Sequence, residues 1–328
     1  MKSSLALIFL AIALAGCKVP YEPVVDKSSQ DLLIVDGYID TGGGQSTIRL
    51  TRTLDVKVPP LPYEEVGATL EIVGEDGLSI SAVTDNNGVA TFTTPLTSSR
   101  RYKLLITTIL GRKYATAFLE NKRTPEIEKI GYKVDGPGIQ LHVSSEDKTQ
   151  DTRYYSWSFE ETWKNQGFNS YAFCWNNERR PGSIYIASSV KFSADRISEF
   201  PLTFMDGQSR KLAHIYSINV FQYGLTKEAY DYLSKLKKLS EQIGGIFATQ
   251  PSELTGNVYC LSNPSEKVIG FISCGIIREK RFFISSSEIK KINSDWYWRP
   301  PSQACAYPPP PEECLCLGTD IKPSYWPD

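Results

Sequence analysis

The sequence predicts a mainly β protein: an N-terminal β-sandwich, then a larger β domain with one amphipathic helix and a disulfide-stapled C-terminal tail. Three observations lead there. Short runs of alternating apolar and polar residues fill most of the chain, and each run changes the face of its side chains at every step. Gly, Asn, Asp and Pro clusters interrupt the runs every 8–12 residues. A single stretch, 226–243, departs from this period and repeats its apolar residues at helical spacing.

The strands follow in order. Leu32-Leu33-Ile34-Val35 opens the first, and Thr47-Ile48-Arg49-Leu50-Thr51 alternates as the second, with Thr41-Gly42-Gly43-Gly44 as the loop between them. Val58 to Pro62 is Pro-rich and reads as an irregular connection. Ala68 to Val73 and Ile80 to Thr84 are strands joined by the turn Glu75-Asp76-Gly77. Asp85-Asn86-Asn87-Gly88 turns the chain into Val89 to Phe92, because Asn and Gly tolerate positive φ. Tyr102 to Thr108 and Lys113 to Ala117 form a hairpin about Gly111, so the first domain covers 32–122.

Thr124-Pro125 marks the boundary to a second domain, 123–328. Ile127 to Val134 and Ile139 to Val143 flank the turn Asp135-Gly136-Pro137-Gly138. In the long strand Arg153 to Trp163, Tyr155, Trp157 and Phe159 share one face, while Tyr154, Ser156, Ser158 and Glu160 share the other. Further strands are expected at 184–190, 215–223, 257–260, 268–274 and 281–285. Thr226 is placed to cap the helix, whose stripe is Tyr230, Leu233, Leu236, Leu239 and Ile243, and Gly244-Gly245 stops it.

The first residues resemble an export signal. Lys2 precedes an uncharged apolar run from Leu5 to Leu14, too short to span a bilayer, and Leu14-Ala15-Gly16-Cys17 follows. This pattern resembles the bacterial lipobox, so residues 1–16 are expected to be removed and Cys17 to carry acyl chains such as palmitate. Residues 17–31 are polar and read as a tether between the lipid bilayer and the folded body. The formal charge is only −1, which argues against nucleic acid as a partner.

Six further cysteines, Cys174, Cys260, Cys274, Cys305, Cys314 and Cys316, form an even set, expected to pair as disulfides in an exported chain. Only C-x-C spacing occurs, at Cys314 and Cys316, so no zinc site is expected.

No motif spells out a reaction, and no catalytic residue, metal or cofactor is expected. Asp40-Thr41-Gly42 matches the core of an aspartic-protease loop, but that chemistry needs two such carboxylates and the sequence offers one. Glu160 and Glu161 are strand neighbours and point to opposite faces, so they do not converge as a glycosidase pair. His142 and His214, the only histidines, lack a nucleophile signature and read as structural. Asp85 to Gly88 lacks the distal Glu of an EF-hand calcium loop and reads as a hairpin turn. Most aromatics suit core packing, and Trp163, Trp175, Trp296 and Trp298 are candidates for a recognition surface.

Several stretches together resemble one family, the Bacteroidota lipoproteins grouped as domain of unknown function 4249. They include Leu32 to Tyr38, Thr124-Pro125-Glu126-Ile127, Tyr154 to Trp163, Tyr216 to Tyr223, Gly244-Gly245-Ile246-Phe247, Gln250-Pro251-Ser252, Gly256-Asn257-Val258 and Lys322-Pro323-Ser324-Tyr325-Trp326. Residues 68–92 also resemble the transthyretin-like, carboxypeptidase-regulatory modules of outer-membrane receptors. Family members are commonly encoded beside TonB-dependent receptors. The resemblance therefore implies a non-catalytic outer-membrane lipoprotein that serves such a receptor, on the periplasmic or the cell-surface face. The rival expectations are a cell-surface adhesive or structural module and a hydrolase with an unrecognised site.

Overall fold

Apolar–polar alternation gives this chain strands with one face to bury, and burying those faces in pairs produces two sandwiches. A computed structural model describes residues 31–53, 63–149, 151–166, 173–179, 183–191, 195–242, 254, 256–296 and 321–327. The expected irregular connection Val58 to Pro62 and the helix stop Gly244-Gly245 lie outside the described residues.

The first sandwich begins with β1 (Leu33–Asp40), β2 (Ser46–Arg52), β3 (Tyr63–Glu64), β4 (Thr69–Gly74) and β5 (Ser79–Val83). It continues with β6 (Val89–Phe92), β7 (Tyr102–Thr107), β8 (Lys113–Thr116) and β9 (Asn121–Lys122). Its turns lie where expected. The Asp85 carboxylate accepts the Asn87 and Val89 N–H groups, both at 2.9 Å, and Gly88 turns with φ +69°. The loop is a tight turn whose carboxylate serves its own backbone, but the expected hairpin is corrected: β5 pairs with β4 and β6 with β2, so the turn carries the chain from one sheet to the other.

A boundary near Lys122 does not close this sandwich, however. The chain returns some 135 residues later as β17 (Val258–Cys260) and β18 (Ile269–Gly275). The first sheet runs β3-β2-β1-β18-β9, with β6 also on β2, and the second runs β17-β8-β7-β4-β5. β18 lies parallel to β1, from Ile34 opposite Ile269 to Asp40 opposite Gly275, and parallel to β9 on its other side. Between these partners the Asn257 side chain acts as a substitute strand. Its Nδ2 donates to Ile272 O at 2.7 Å and its Oδ1 accepts Ile272 N–H at 2.9 Å. Gly270, at φ +121°, passes so close to the Val35 carbonyl that a Cβ would collide with it. Leu33, Val35, Ile39, Ile48 and Leu50 of the first sheet pack on Leu70, Ile72, Leu104, Ile106 and Tyr114 of the second, and Ile272 and Cys274 complete the same core.

The second module pairs a three-stranded sheet with a five-stranded one. The first is β10 (Ile127–Asp135), β11 (Gly138–Glu146) and β15 (Arg196–Asp206), in that order. The second comprises β12 (Tyr154–Gln166), β13 (Phe173–Arg179), β14 (Tyr185–Ser188), β16 (Ile215–Leu225) and β19 (Ile277–Ser285). Its order is β13-β12-β16-β19, with β14 also on β12. Tyr155, Trp157 and Phe159 are buried together as their alternation predicts, and Trp157 stacks on Phe200 at 4.6 Å. Gln222, fully buried, accepts from Trp157 Nε1 (2.9 Å) and Ser145 Oγ (2.7 Å) and donates to Pro125 O (2.8 Å). A buried amide satisfied on this scale ties the boundary segment to the core.

The helix, α1 (Lys227–Gln242), lies where expected, and Ala229 N–H donates to the Thr226 hydroxyl at 3.2 Å. Its most buried residues are Ala229 and Tyr232, with Tyr230 and Leu233 packed beside them against Tyr154, Leu225 and Phe271. Leu236 and Leu239 are only half-buried, because the first two turns alone meet the sheets. A short helix, α2 (Ser286–Ile292), follows β19 with a capping box between Ser285 and Glu288.

One residue, Ile276, separates β18 of the first module from β19 of the second. Asp40 governs this crossing. Its carboxylate accepts N–H groups from Gly42 (2.8 Å), Gly44 (3.0 Å) and Ile277 (3.0 Å), and it is almost fully buried. The Asp-Thr-Gly loop therefore shapes a turn and fastens the crossing strand. Ile276 N–H donates to Lys122 O at 2.9 Å on the other side. Asp40→Ala leaves three donors without their carboxylate and is expected to cost roughly 3 kcal/mol. The urea midpoint should fall at unchanged m, with Asp40→Asn intermediate.

Candidate binding surface at the module seam

The seam between the modules is built from backbone-serving polar side chains. On one side, Asp147 organises the loop after β11. It accepts Thr149 N–H (2.9 Å), Thr149 Oγ1–H (2.6 Å), Asp151 N–H (3.0 Å) and Thr152 N–H (2.7 Å). Thr152 in turn donates to Arg123 O at 3.0 Å, and Lys122 Nζ donates to Asp151 O at 2.8 Å. Asn121 accepts from Thr41 Oγ1 (2.8 Å) and donates to Arg100 O (2.9 Å). These bonds frame an open cleft of about 650 Å³ lined by Ser98, Asn121, Arg123, Thr124, Pro125, Glu146 to Thr149 and Asp151. Arg123 and Lys148 are exposed at its rim and Glu146 is half-buried, so charges of both signs face it. Such a lining suits a polar, hydrogen-bonding ligand surface more than a uniformly anionic one.

On another face of the seam, tyrosines from the two modules meet. Tyr38 of β1 lies 5.1 Å from Tyr223 of β16, ring to ring, and its hydroxyl donates to Gly224 O at 3.0 Å. Tyr223 Oη shares a hydrogen bond of 3.0 Å with Ser158, and Glu160 beside it pairs with Arg179. Burial pushes both phenols above their ordinary pKa, so they stay neutral hydrogen-bonding groups at physiological pH.

Glu161 faces the opposite way from Glu160, as strand alternation requires. It is fully buried, 2.9 Å from Lys211 Nζ and 2.8 Å from the Tyr216 hydroxyl, while Lys211 also reaches Glu178 at 2.5 Å. Sequence reading missed this network. Its available signal was a carboxylate in register with Tyr155, Trp157 and Phe159, where an ionised group needs a partner.

The recognition aromatics do not share a face. Trp163 is half-buried, packs on the second core and lies 4.8 Å under Lys211 Nζ. Trp296 packs on the same core, above Gly207, where it leaves no room for a Cβ. Trp175 is buried on the outer side of the five-stranded sheet, edge-on to Trp326 at 6.5 Å. Trp326 also meets Phe283, and Tyr325 lies under Arg281 at 3.5 Å, so residues 321–327 cover that sheet. Trp298 lies outside the described residues, as do Cys17, Cys305, Cys314 and Cys316.

The expectation that all six downstream cysteines pair is corrected. Cys260 and Cys274 are free thiols, both buried in the first core, where each fills a small apolar position. Burial and the nearby Asp40 push the Cys274 thiol up to about 12, which keeps it protonated and inert. Cys174 is disulfide-bonded, and neither of these two is its partner. Among the described residues no group of three or more His, Cys, Asp or Glu stands together as a metal site. His142 Nδ1 is buried without a partner in the strand pair β10–β11, and burial, with Lys164 and Lys290, lowers the His214 pKa.

Lys211→Met is expected to cost about 3 kcal/mol by stranding Glu161, and the Glu161→Gln/Lys211→Met double variant should recover part of it. Urea unfolding of four proteins, the parent, Lys211→Met, Glu161→Gln and the double variant, measures the coupling. At Asp147, burial acts to raise the pKa, but hydrogen bonds from Thr149, Thr152 and Asp151 outweigh it, and the net shift is downward from 3.8. Its stabilisation is therefore present above pH 3.8 and lost as pH falls below that value through the folded pKa. Thermal melts between pH 2 and 5 should show a shallower acid limb for Asp147→Asn than for the parent chain.

Two solved structures show limited likeness. One is a two-domain fibronectin type-III segment of chicken tenascin, at 12% identity and TM-score 0.19, with 60% of this chain and 91% of that chain covered. The other is a putative carbohydrate binding protein from Bacteroides uniformis, at 11% identity and TM-score 0.18, with 61% and 92% covered. At such scores neither carries an argument about this chain. No curated protein matches by sequence. A family model does match, over residues 18–281, and the chain belongs to the family it describes, domain of unknown function DUF4249.

Proposed function

We propose that this chain is a non-catalytic, lipid-anchored outer-membrane protein that binds a TonB-dependent uptake receptor or its cargo. Cys17 is the anchor, residues 18–31 are the tether, and the two sandwiches present the binding surface. One observation carries the non-catalytic part: the carboxylates that sequence motifs nominate for chemistry serve the fold. Asp40 holds three backbone N–H groups, Glu161 is paired with Lys211 and Tyr216, and Glu160 is paired with Arg179. Fixed recognition surface is what remains at the seam, in the 650 Å³ cleft and the Tyr38–Tyr223 face. The family's association with TonB-dependent receptors supports the choice of partner. The Cys174 disulfide supports an oxidising compartment, and its proposed partner is a tail cysteine among Cys305, Cys314 and Cys316.

A gentle-detergent pull-down of the native protein through a C-terminal tag is expected to recover such a receptor in near-stoichiometric amount. Recovery of the chain alone would sink the receptor reading and favour a free-standing binder or adhesin. Cys17→Ser should move the chain from the membrane to the soluble fraction. Peptide mapping without reductant should find Cys174 joined to the tail, and joined peptides containing Cys260 or Cys274 would contradict the buried free thiols.

A further inference from the structure

The chain enters the first sandwich at Asp31, and that end carries an unusual group of bare apolar side chains. Asp31 is fastened by three neighbours. Tyr63 donates to its carboxylate, Arg52 Nη1 donates to its carbonyl at 2.9 Å, and Arg112 Nη1 stands 3.3 Å from Oδ2. Arg112 closes the turn between β7 and β8, where Gly111 (φ +78°) donates to Thr108 O at 2.9 Å. The two residues at the tip of this turn are Ile109 and Leu110, 70% and 77% exposed. Turn tips ordinarily carry Asn, Gly, Asp or Ser, and two adjacent aliphatics there leave most of their surface bare.

They are not alone. A Cβ built on Gly67 would lie 2.6 Å from Ile109 Cδ1, which places the exposed Val66 beside the tip. Gly67 N–H donates to Thr84 O at 3.0 Å, which brings the exposed Val83 to the same edge. Leu261, half exposed, is fixed to the base of the turn by its N–H bond to Lys113 O at 2.7 Å. Four separate segments therefore deliver aliphatic side chains to the end of the sandwich where the tether leaves. Scattered surface aliphatics are ordinary, but a row of them along one end of a sheet, from the β17 edge to the β5 edge, marks a contact surface.

The tether says what the surface meets. From Cys17 to Asp31 is 14 residues, and a chain of that length with random-coil dimensions would span about 20 Å. A lipid on Cys17 thus holds this end of the sandwich close to the bilayer at high effective concentration. The tip also carries the exposed Lys113, whose stem suits apolar contact while its head stays with water and headgroups. We propose that Ile109 and Leu110, flanked by Val66, Val83 and Leu261, dip into the interfacial layer of the anchoring bilayer. This second contact fixes the sandwich end-on to the membrane and turns the seam and the second module away from it. The proposal rests on the lipid-anchor reading above and goes beyond it.

The test uses the full mature lipidated chain in phosphatidylethanolamine–phosphatidylglycerol vesicles, with Cys17→Ser chain in buffer as reference. Flotation establishes anchoring, and amide hydrogen exchange reads the tips. Exchange over 65–67 and 107–112 is expected to slow at least about fivefold on the vesicles, as for amides withdrawn from free solvent. In an Ile109→Ser/Leu110→Ser chain that floats and melts like the parent, protection at 65–67 should return to the buffer rate. A floated parent chain whose tips exchange at the buffer rate overturns the docking and leaves the anchor standing. A chain that fails to float removes the anchor and this proposal together. Protection that grows with protein concentration without vesicles would assign the surface to a second copy and overturn the membrane contact.

Discussion

The parallel pairing of β1 with β18 is the constraint on which the rest of the architecture depends. It joins Ile34 to Ile269 and Asp40 to Gly275 across more than 230 residues of sequence. A parallel pair cannot be made by a short turn, and here the connection contains most of a second module. The first sandwich consequently lacks a central strand until the chain has passed residue 275. Closing so long a loop is entropically costly, and the contact is rewarded only once both sheets can bury Ile272 and Cys274 between them. Local devices make the pairing possible: Gly270 admits the close approach to Val35, and Asn257 supplies hydrogen bonds where a neighbouring strand is missing.

The same strand also makes the two modules mechanically one. β18 passes into β19 through Ile276 alone, and β19 is the edge of the five-stranded sheet. Asp40, Thr124 and Lys122 hold the crossing from three sides through backbone groups. Ile277 N–H is bound by Asp40, Arg278 Nε donates to Thr124 O at 3.2 Å, and Ile276 N–H is bound by Lys122 O. Polar side chains buried at this seam satisfy main-chain donors and acceptors that a strand crossing between sheets leaves without ladder partners. That is why Asp40, conspicuous in sequence, and Asp147, which is not, both carry structural duties.

Elsewhere charge is buried only with company. Arg52, 3% exposed, is paired with Glu65, and Glu161 with Lys211 and Tyr216. These pairs sit at the margins of the cores, where aliphatic packing gives way to loops. The proposed recognition would draw on three kinds of surface: an open polar cleft, the tyrosine pair shared by both modules, and the aliphatic end at Ile109 and Leu110.

The sequence by itself determined what depends on near neighbours. Side-chain alternation put Tyr155, Trp157 and Phe159 on one face and separated Glu160 from Glu161. Asp85 to Gly88 dictated a tight turn, and the spacing after Thr226 dictated a helix, since helix and turn signals act over a few residues; that the turn passes between sheets and closes no hairpin was not local. The family could also be read directly from its dispersed segments. Only the tertiary structure decided which distant strands share a sheet, because the pairing of residue 34 with residue 269 leaves no local pattern. It likewise decided that Cys260 and Cys274 are core thiols, that Lys211 answers Glu161, and that Trp163 and Trp296 pack on the second core while Trp175 lies on the outer side of the sheet. Each of those outcomes depends on distances between segments far apart in the chain, and such distances exist only once both sandwiches have closed around β18.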